Sequence, residues 1–402
     1  MKDYIALLQN EPVLKRLSTI QLIVYFGAWF SNVAIYTLLL EMHVGAEIVA
    51  FTAMIHFLAG VVQAPFSGAI IDKVKPKKLM LWLITLEMLG TFFLIFINQL
   101  DDLWLLYMLI FIKMAAASFY FTAEMSLLPK ILAPNKLQKA NELHSIIWSL
   151  SYTLGMALSG FVVYLFGVKI AFILDTFVLM AGVYFLATLK IEVEVFKTQE
   201  NLLKMMRGTF VYLKKFPHAI HLMILHAFIG LTAFDALVAL MVSNYYAGII
   251  ATSLALGLLN ASRAIGLVIG PMLMKNWINN KKLTYVFIFQ AIAVWIWAYV
   301  MENFYLSLAA SVLVGLGTTT LWSYTYTLLQ KNIDEKYYGR IVAYNDMLFL
   351  SSAAFTSFMI GFLATKTYSL GFITFLIGLG FFIASLYYMW ILKTQNIEDK
   401  QI

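Results

Sequence analysis

Cysteine is absent from the chain, which excludes disulfides, thiolate metal sites and a cysteine nucleophile, and leaves no mark of a redox compartment. Charge is scarce: 12% of the 402 residues are Asp, Glu, Lys or Arg, roughly half the share of a soluble domain. No G-x-x-x-x-G-K-[ST] loop is present, so ATP-driven transport would need a second chain. His218, His221 and His226 stand three and five residues apart, but no carboxylate or thiolate joins them locally. They read as interfacial residues rather than metal ligands. No nucleophile–base arrangement is visible, so the chain is not expected to be an enzyme.

What the chain has instead is apolar surface. Hydrophobic residues make up 62% of it, more than an interior core can use, so the solvent around most of it is lipid. The segment 1–17 is polar and amphipathic. The first apolar run, 18–40, is too long for a signal-peptide core and lacks a small-residue cleavage site, so it is read as a retained span. A spanning helix needs roughly 20 mostly apolar residues. By that measure spans fall near 18–40, 46–71, 79–98, 103–127, 142–166, 169–189, 219–244, 248–274, 283–301, 303–329, 341–365 and 368–392. The division between the ninth and tenth rests on Glu302 and Asn303.

The net charge of +7 would suggest nucleic acid in a soluble protein. Here the basic residues sit in short loops, where they orient the chain. With the N-terminus in the cytoplasm, alternate loops gather Lys15 and Arg16, then Lys73, Lys75, Lys77 and Lys78, then Lys130, Lys136 and Lys139. Lys275, Lys281, Lys282, Lys331 and Arg340 follow on the same side, against only Lys169 and Lys366 on the other. A wrong helix count would scramble this bias. The reading is therefore an all-α membrane protein with both termini cytoplasmic, placed in the plasma (inner) membrane.

The longest polar stretch, 190–217, separates two six-helix bundles, 1–189 and 218–402. Within it Leu203, Met206, Phe210 and Leu213 recur at helical spacing among Lys204, Arg207, Lys214 and Lys215, a basic amphipathic helix suited to the membrane surface. The halves look related. Leu128-Pro129-Lys130 leading to Gln138-Lys139 is echoed by Leu329-Gln330-Lys331 leading to Gly339-Arg340. A run from Gly68 to Lys77-Lys78 is echoed by one from Gly270 to Lys281-Lys282. Six spans per half preserve orientation, so the repeats are parallel.

The loop after the second span, Gly68-Ala-Ile-Ile-Asp72-Lys73-Val-Lys75-Pro-Lys77-Lys78, resembles the conserved cytoplasmic loop of the major facilitator superfamily. Lys75 and Pro76 replace that loop's second glycine and an arginine. A narrower resemblance is to the macrolide-efflux and enterobactin-exporter branch, with lysophospholipid transporters nearby. It rests on Pro129, Leu137, Ala140-Asn141, the segment Gly155 to Gly160, Asp175 and Gly339-Arg340. Gly155 is followed by Met156 where many efflux relatives have proline, and Ala28 stands near the place of an acidic residue often found in the first span. The resemblance implies the major facilitator fold, with spans 1, 4, 7 and 10 lining a central cavity.

Gly68, Asp72, Lys73, Lys77 and Lys78 are the candidate gating residues. A carboxylate at the end of a helix can accept hydrogen bonds from the exposed amides of a neighbouring helix N-terminus, here that of the eleventh span. The rival reading is a plain helix end with basic flanks.

An ionisable residue at mid-span costs about 2.5–3.5 kcal/mol on insertion scales, so each is a functional candidate. Glu87, Lys113, Asp235 and Arg263 are such residues, and Glu124 and Asp346 lie nearer span ends. The resemblance points Lys113 and Asp235 at the cavity. Asp235 and Arg263 stand at similar depth and suit a pair, as do Glu87 and Lys113. Asp175 reads as a structural hydrogen-bonding residue, and Glu124 as a proton site or as an ion-pair partner of Lys130. Phe26, Trp29 and Asn32 on span 1 and Asn260 on span 8 are candidate cavity-lining residues. The expected activity is secondary active transport without a cofactor: proton-coupled efflux of a hydrophobic or amphipathic small molecule, drug-like or siderophore-like, by a monomer in the bilayer. A lysophospholipid flippase of the same fold is the first alternative; an intramembrane enzyme, a receptor and a channel have weaker support.

Overall fold

The computed structural model describes residues 2–71, 74–191, 202–274, 277–334 and 337–395, and among these every regular element is a helix. After the short α1 (Lys2–Asn10) come α2 (Pro12–Glu41), α3 (Ala46–Ile71), α4 (Pro76–Phe93), α5 (Leu103–Ile131), α6 (Pro134–Phe166) and α7 (Val168–Thr188). The polar stretch contributes α8 (Leu202–Lys215). Then follow α9 (Pro217–Ala227), α10 (Asp235–Met241), α11 (Thr252–Met274), α12 (Leu283–Val300), α13 (Phe304–Lys331), α14 (Tyr338–Thr365) and α15 (Leu370–Thr394). Among the described residues twelve stretches are long and apolar enough to cross a membrane, eleven of them built on single helices and one, Pro217–Tyr246, on α9, α10 and the turns that follow each.

Proline and caps set many of the boundaries. Pro12, Pro76 and Pro217 each open a helix, where the missing N–H costs nothing. Pro65, Pro129 and Pro271 lie inside α3, α5 and α11, which lipid-embedded helices tolerate when neighbours satisfy the freed carbonyls. Between the ninth and tenth spans the Asn303 side chain accepts from Leu306 N at 3.1 Å, capping α13 where the sequence placed the division. Ser369 caps α15 through Phe372 N at 3.2 Å. The chain reverses from α6 to α7 at Gly167 alone, whose φ of +83° only glycine adopts freely.

The seventh span departs from expectation: it is not one continuous helix. A 3-10 turn (Phe228–Thr232) follows α9, the helix breaks before α10, and a π turn (Val242–Tyr246) ends it. The cause is tertiary. A Cβ on Gly230 would lie 2.7 Å from the backbone of Phe349 and Ala353, so α14 presses directly on this turn and the backbone winds tighter there. The eighth span also begins later than read, at Thr252, after a turn through Gly248 (φ +86°).

Packing divides the chain into two compact units. The first comprises Met1–His43, Pro65–Thr198 and Ala251–Ala261. Its core runs along α2, α4, α5 and α7 through Leu17, Ile20, Val24, Ile84, Tyr120 and Leu179. Gly160 on α6 and Gly257 on α11 touch backbone to backbone, since a Cβ on Gly160 would lie 2.9 Å from Gly257 Cα. The second comprises Val44–Ala64, Gln199–Ile250 and Ser262–Ile402. There Gly266 and Gly270 let α11 pack against Gly315 and Leu316 of α13. The basic helix α8 is anchored within this unit: Tyr212 stacks on Tyr337 at 4.4 Å and its hydroxyl accepts from Asp334 N at 2.9 Å. Large apolar side chains face outward on many spans, Trp82, Trp104, Tyr184, Met272 and Tyr299 among them, as lipid contact requires.

Candidate functional site

A buried polar network occupies the first unit, built on two helix faces. On α2, Gln21, Tyr25 and Ala28 recur at steps of four and three; on α5, Lys113, Tyr120 and Glu124 recur at steps of seven and four. Each set therefore lies along one side of its helix.

At one end of the network are Glu87, Lys113 and Asp175. Lys113 Nζ stands 3.5 Å from Glu87 Oε1, and both side chains are fully enclosed. The ammonium also donates to the Ala28 carbonyl at 3.3 Å. Asp175, buried on α7, lies within electrostatic reach of both Lys113 and Glu87. Among the described residues, no carboxylate oxygen of Glu87 or Asp175 has a hydrogen-bond partner. Two glycines make room for the cluster. A Cβ on Gly27 would meet Asp175 Oδ1 at 2.7 Å, and one on Gly90 would meet Lys113 Cβ at 3.3 Å.

Two acids and one base in a dry site are electroneutral only when one carboxyl carries a proton. Polar groups so enclosed are costly unless compensated, so this is a place where proton occupancy and packing are tied together.

The network continues along α5. The Tyr25 hydroxyl donates to Glu124 Oε2 at 3.0 Å, with both residues buried. Tyr25 meets Tyr120 edge to face at 6.3 Å, stacks on Phe121 at 6.0 Å and meets the His144 ring edge to face at 5.7 Å. His144 Nδ1 pairs with Gln21 Nε2 at 2.8 Å. Glu124 is thus a buried partner of a phenol, not an interfacial partner of Lys130.

Next to this network α2 carries an aromatic group. Trp29 meets Tyr152 at 4.7 Å and Trp148 at 5.7 Å, both edge to face, and Trp148 stacks on Tyr152 at 5.7 Å. The Tyr152 hydroxyl donates to Asn260 Oδ1 at 3.4 Å. Trp29 and Asn260 are therefore brought together through Tyr152. Phe26 packs on Phe30 at 5.3 Å, and Asn32 is buried on α2.

In the second unit, Arg263 Nη1 donates to Thr232 O at 3.4 Å, a carbonyl at the break in the seventh span that also accepts from Phe234 N at 2.8 Å. Its guanidinium lies over the Phe234 ring at 5.5 Å, and Asp235 follows as the first residue of α10. Arg263, on α11, thus contacts the irregular segment that immediately precedes Asp235. His226 is not interfacial: it is fully enclosed, pairs with Thr325 Oγ1 at 2.8 Å, and is ringed by Trp322, Tyr326 and Phe349.

Of the loop after α3, Asp72 and Lys73 lie outside the described residues. Gly68 falls in the last turn of α3. Lys77 Nζ donates to the Ala187 carbonyl at 2.8 Å, a cation at the C-terminus of α7, and Lys78 is exposed. Gln21, Tyr25, Tyr120 and His144 are not singled out by the sequence reading. The signal that finds them is the polar stripe on α2 and its counterpart on α5, whose steps match a helix face.

No curated protein matches the sequence significantly. Solved structures do resemble the fold. One is the nucleoside transporter NupG, in a point-variant form, at a TM-score of 0.70 and 12% identity over 95% of this chain and 99% of that one. Another is a bacterial homologue of the human lysosomal transporter Spinster, inward-facing and unoccupied, at 0.72 and 13% over 95% and 96%. At such identities the likeness concerns the fold. The sequence profile described as Major Facilitator Superfamily matches residues 17–357. With twelve candidate spans and that match, the chain belongs to the major facilitator superfamily and is a multi-pass membrane transporter rather than an enzyme.

Proposed function

We propose that this transporter is a proton-driven exporter of hydrophobic or amphipathic small molecules, of the macrolide-efflux or enterobactin-exporter type. It works by alternating access as a monomer in the plasma (inner) membrane, with both termini in the cytoplasm and Asp72 closing the inner gate. The observation that carries the proton coupling is the enclosed trio of Glu87, Lys113 and Asp175. Its charge balance requires one proton, and it touches α2 through Gly27 and the Ala28 carbonyl. Losing that proton leaves an uncompensated negative charge in a dry site. The strain falls on α2, the helix that also bears Trp29. The half-buried Trp29 and Trp148 beside Tyr152 suit an apolar cargo.

The test is transport in proteoliposomes with an imposed pH gradient, using ethidium, uridine and lysophosphatidylcholine as probes. Gradient-dependent ethidium movement, lost in Glu87→Gln, supports the reading. Movement of lysophosphatidylcholine alone would replace the exporter with a lipid flippase. Transport that ignores the gradient would remove the proton.

A further inference from the structure

We infer that the outward face of α8 is a docking site for anionic phospholipid headgroups, and that lipid seated there steadies the connection between α13 and α14. The inference goes beyond the transport reading above and depends on neither cargo nor proton. The sequence of α8 has four basic residues and no acidic one. Its last two turns are sorted by side. Thr209, Tyr212 and Leu213 are buried, at the steps of three and four that make one helix face. On that face Tyr212 holds Tyr337 by stacking and Asp334 N by its hydroxyl. Just beyond the helix, His218 Nε2 pairs with Asn332 O at 2.9 Å. The apolar stripe expected from spacing is therefore split. Leu213 turns inward, while Phe210 is 53% exposed and Val211 beside it 62%.

Lys214 and Lys215 follow Phe210 and Val211 by four residues, so two exposed cations stand on the same side as the exposed apolar pair. Among the described residues neither lysine has a carboxylate partner. A solvated basic face, the plain alternative, accounts for the lysines but leaves Phe210 and Val211 in water. Free phosphate has the same shortcoming. The boundary between headgroups and acyl chains offers anionic charge and apolar depth together, which is what this face presents.

The location fits as well. Lys215 stands two residues before Pro217, which opens the candidate span Pro217–Tyr246, so no more than about 7 Å of chain separates them. Basic residues set so close to the end of a span meet the surface charge of anionic lipid. Because the opposite face of α8 grips Asp334 and Tyr337, lipid that fixes α8 also fixes the connection to α14.

The chain has no cysteine, so a single introduced one takes a dye. Gly208→Cys suits, since a Cβ there meets no atom within 4 Å. The full-length chain bearing a bimane dye at this position is reconstituted in vesicles of phosphatidylcholine, alone or mixed two to one with phosphatidylglycerol. Emission should shift to the blue with phosphatidylglycerol and return in high salt, which screens exposed charges. In neutral detergent, phosphatidylglycerol should raise the unfolding temperature of the unmodified chain, whereas phosphatidylcholine and inorganic phosphate should not. Lys214→Gln combined with Lys215→Gln should raise the phosphatidylglycerol concentration needed by about 25-fold, roughly fivefold per charge. Lys281→Gln combined with Lys282→Gln removes the same charge elsewhere and should change it little. Equal loss in the two pairs would reduce the effect to net charge and overturn the site. Equal responses to the two lipids, or a response to inorganic phosphate as strong as that to phosphatidylglycerol, would overturn it too.

Discussion

Removing Lys113 is the most demanding perturbation of the enclosed trio. The Lys113–Glu87 pair is closed at 3.5 Å with both side chains inaccessible to solvent, and the same ammonium holds the Ala28 carbonyl. Lys113→Met keeps the length and apolar stem but strands Glu87 and Asp175 together. Deleting one partner of a buried pair costs about 3–5 kcal/mol, whereas replacing both by neutral groups of similar size is close to neutral. Glu87→Gln alone should cost less than Lys113→Met, about 1–3 kcal/mol, because Asp175 still faces the ammonium. The double variant Lys113→Met with Glu87→Gln should recover most of the Lys113→Met loss. Thermal unfolding in detergent, read by intrinsic fluorescence, gives the order: parent, Glu87→Gln and the double variant close together, and Lys113→Met lowest. The pair of residues should be non-additive by about 3 kcal/mol or more, close to the whole Lys113→Met loss, as groups in direct contact are. If Lys113→Met melts with the parent, or the double variant loses the sum of the single losses, the charge-balance reasoning is wrong.

Three further outcomes follow from other parts of the molecule. Gly160→Val should lower the yield of monodisperse protein in size-exclusion chromatography, because a Cβ there would already lie 2.6 Å from Ser253 O; overpacking of this kind costs about 1–3 kcal/mol. Asp72→Asn should slow probe transport while leaving expression intact, and unchanged transport would refute the inner gate. Asp235→Arg combined with Arg263→Asp should restore folded yield lost in either single change if the two residues pair; equal loss in all three would argue against the pair.

Much of the architecture is legible in the sequence because lipid imposes a length on every span. All twelve expected spans have a counterpart among the helices, and the ninth and tenth divide where Asn303 supplies a cap. The Glu87–Lys113 pair is legible too, since two opposite charges at similar depth in adjacent spans have few other partners in hydrocarbon. The break in the seventh span is not legible. Gly230 looks like any other membrane glycine until α14 is seen to press on it. Asp175 is missed as a member of the trio for the same reason, because only the absence of a Cβ on Gly27 lets its carboxyl reach that place.

The rest is a matter of helix rotation. An apolar run shows that a helix spans the membrane but barely shows which side of it faces which neighbour, since lipid and protein interior are both apolar. Only the rare polar positions carry that information. On α5, Lys113, Tyr120 and Glu124 share one side; on α2, Gln21 and Tyr25 do, with the Ala28 carbonyl one turn on. When two such stripes occur in one unit they must face each other or leave polar groups in lipid, and the second choice costs several kcal/mol per group. The contacts of Lys113 with Ala28 and of Glu124 with Tyr25 are the two ends of that match, set eleven residues apart on α5. The network was therefore present in the spacing, but only once the residues were ordered by angle around each helix rather than by charge.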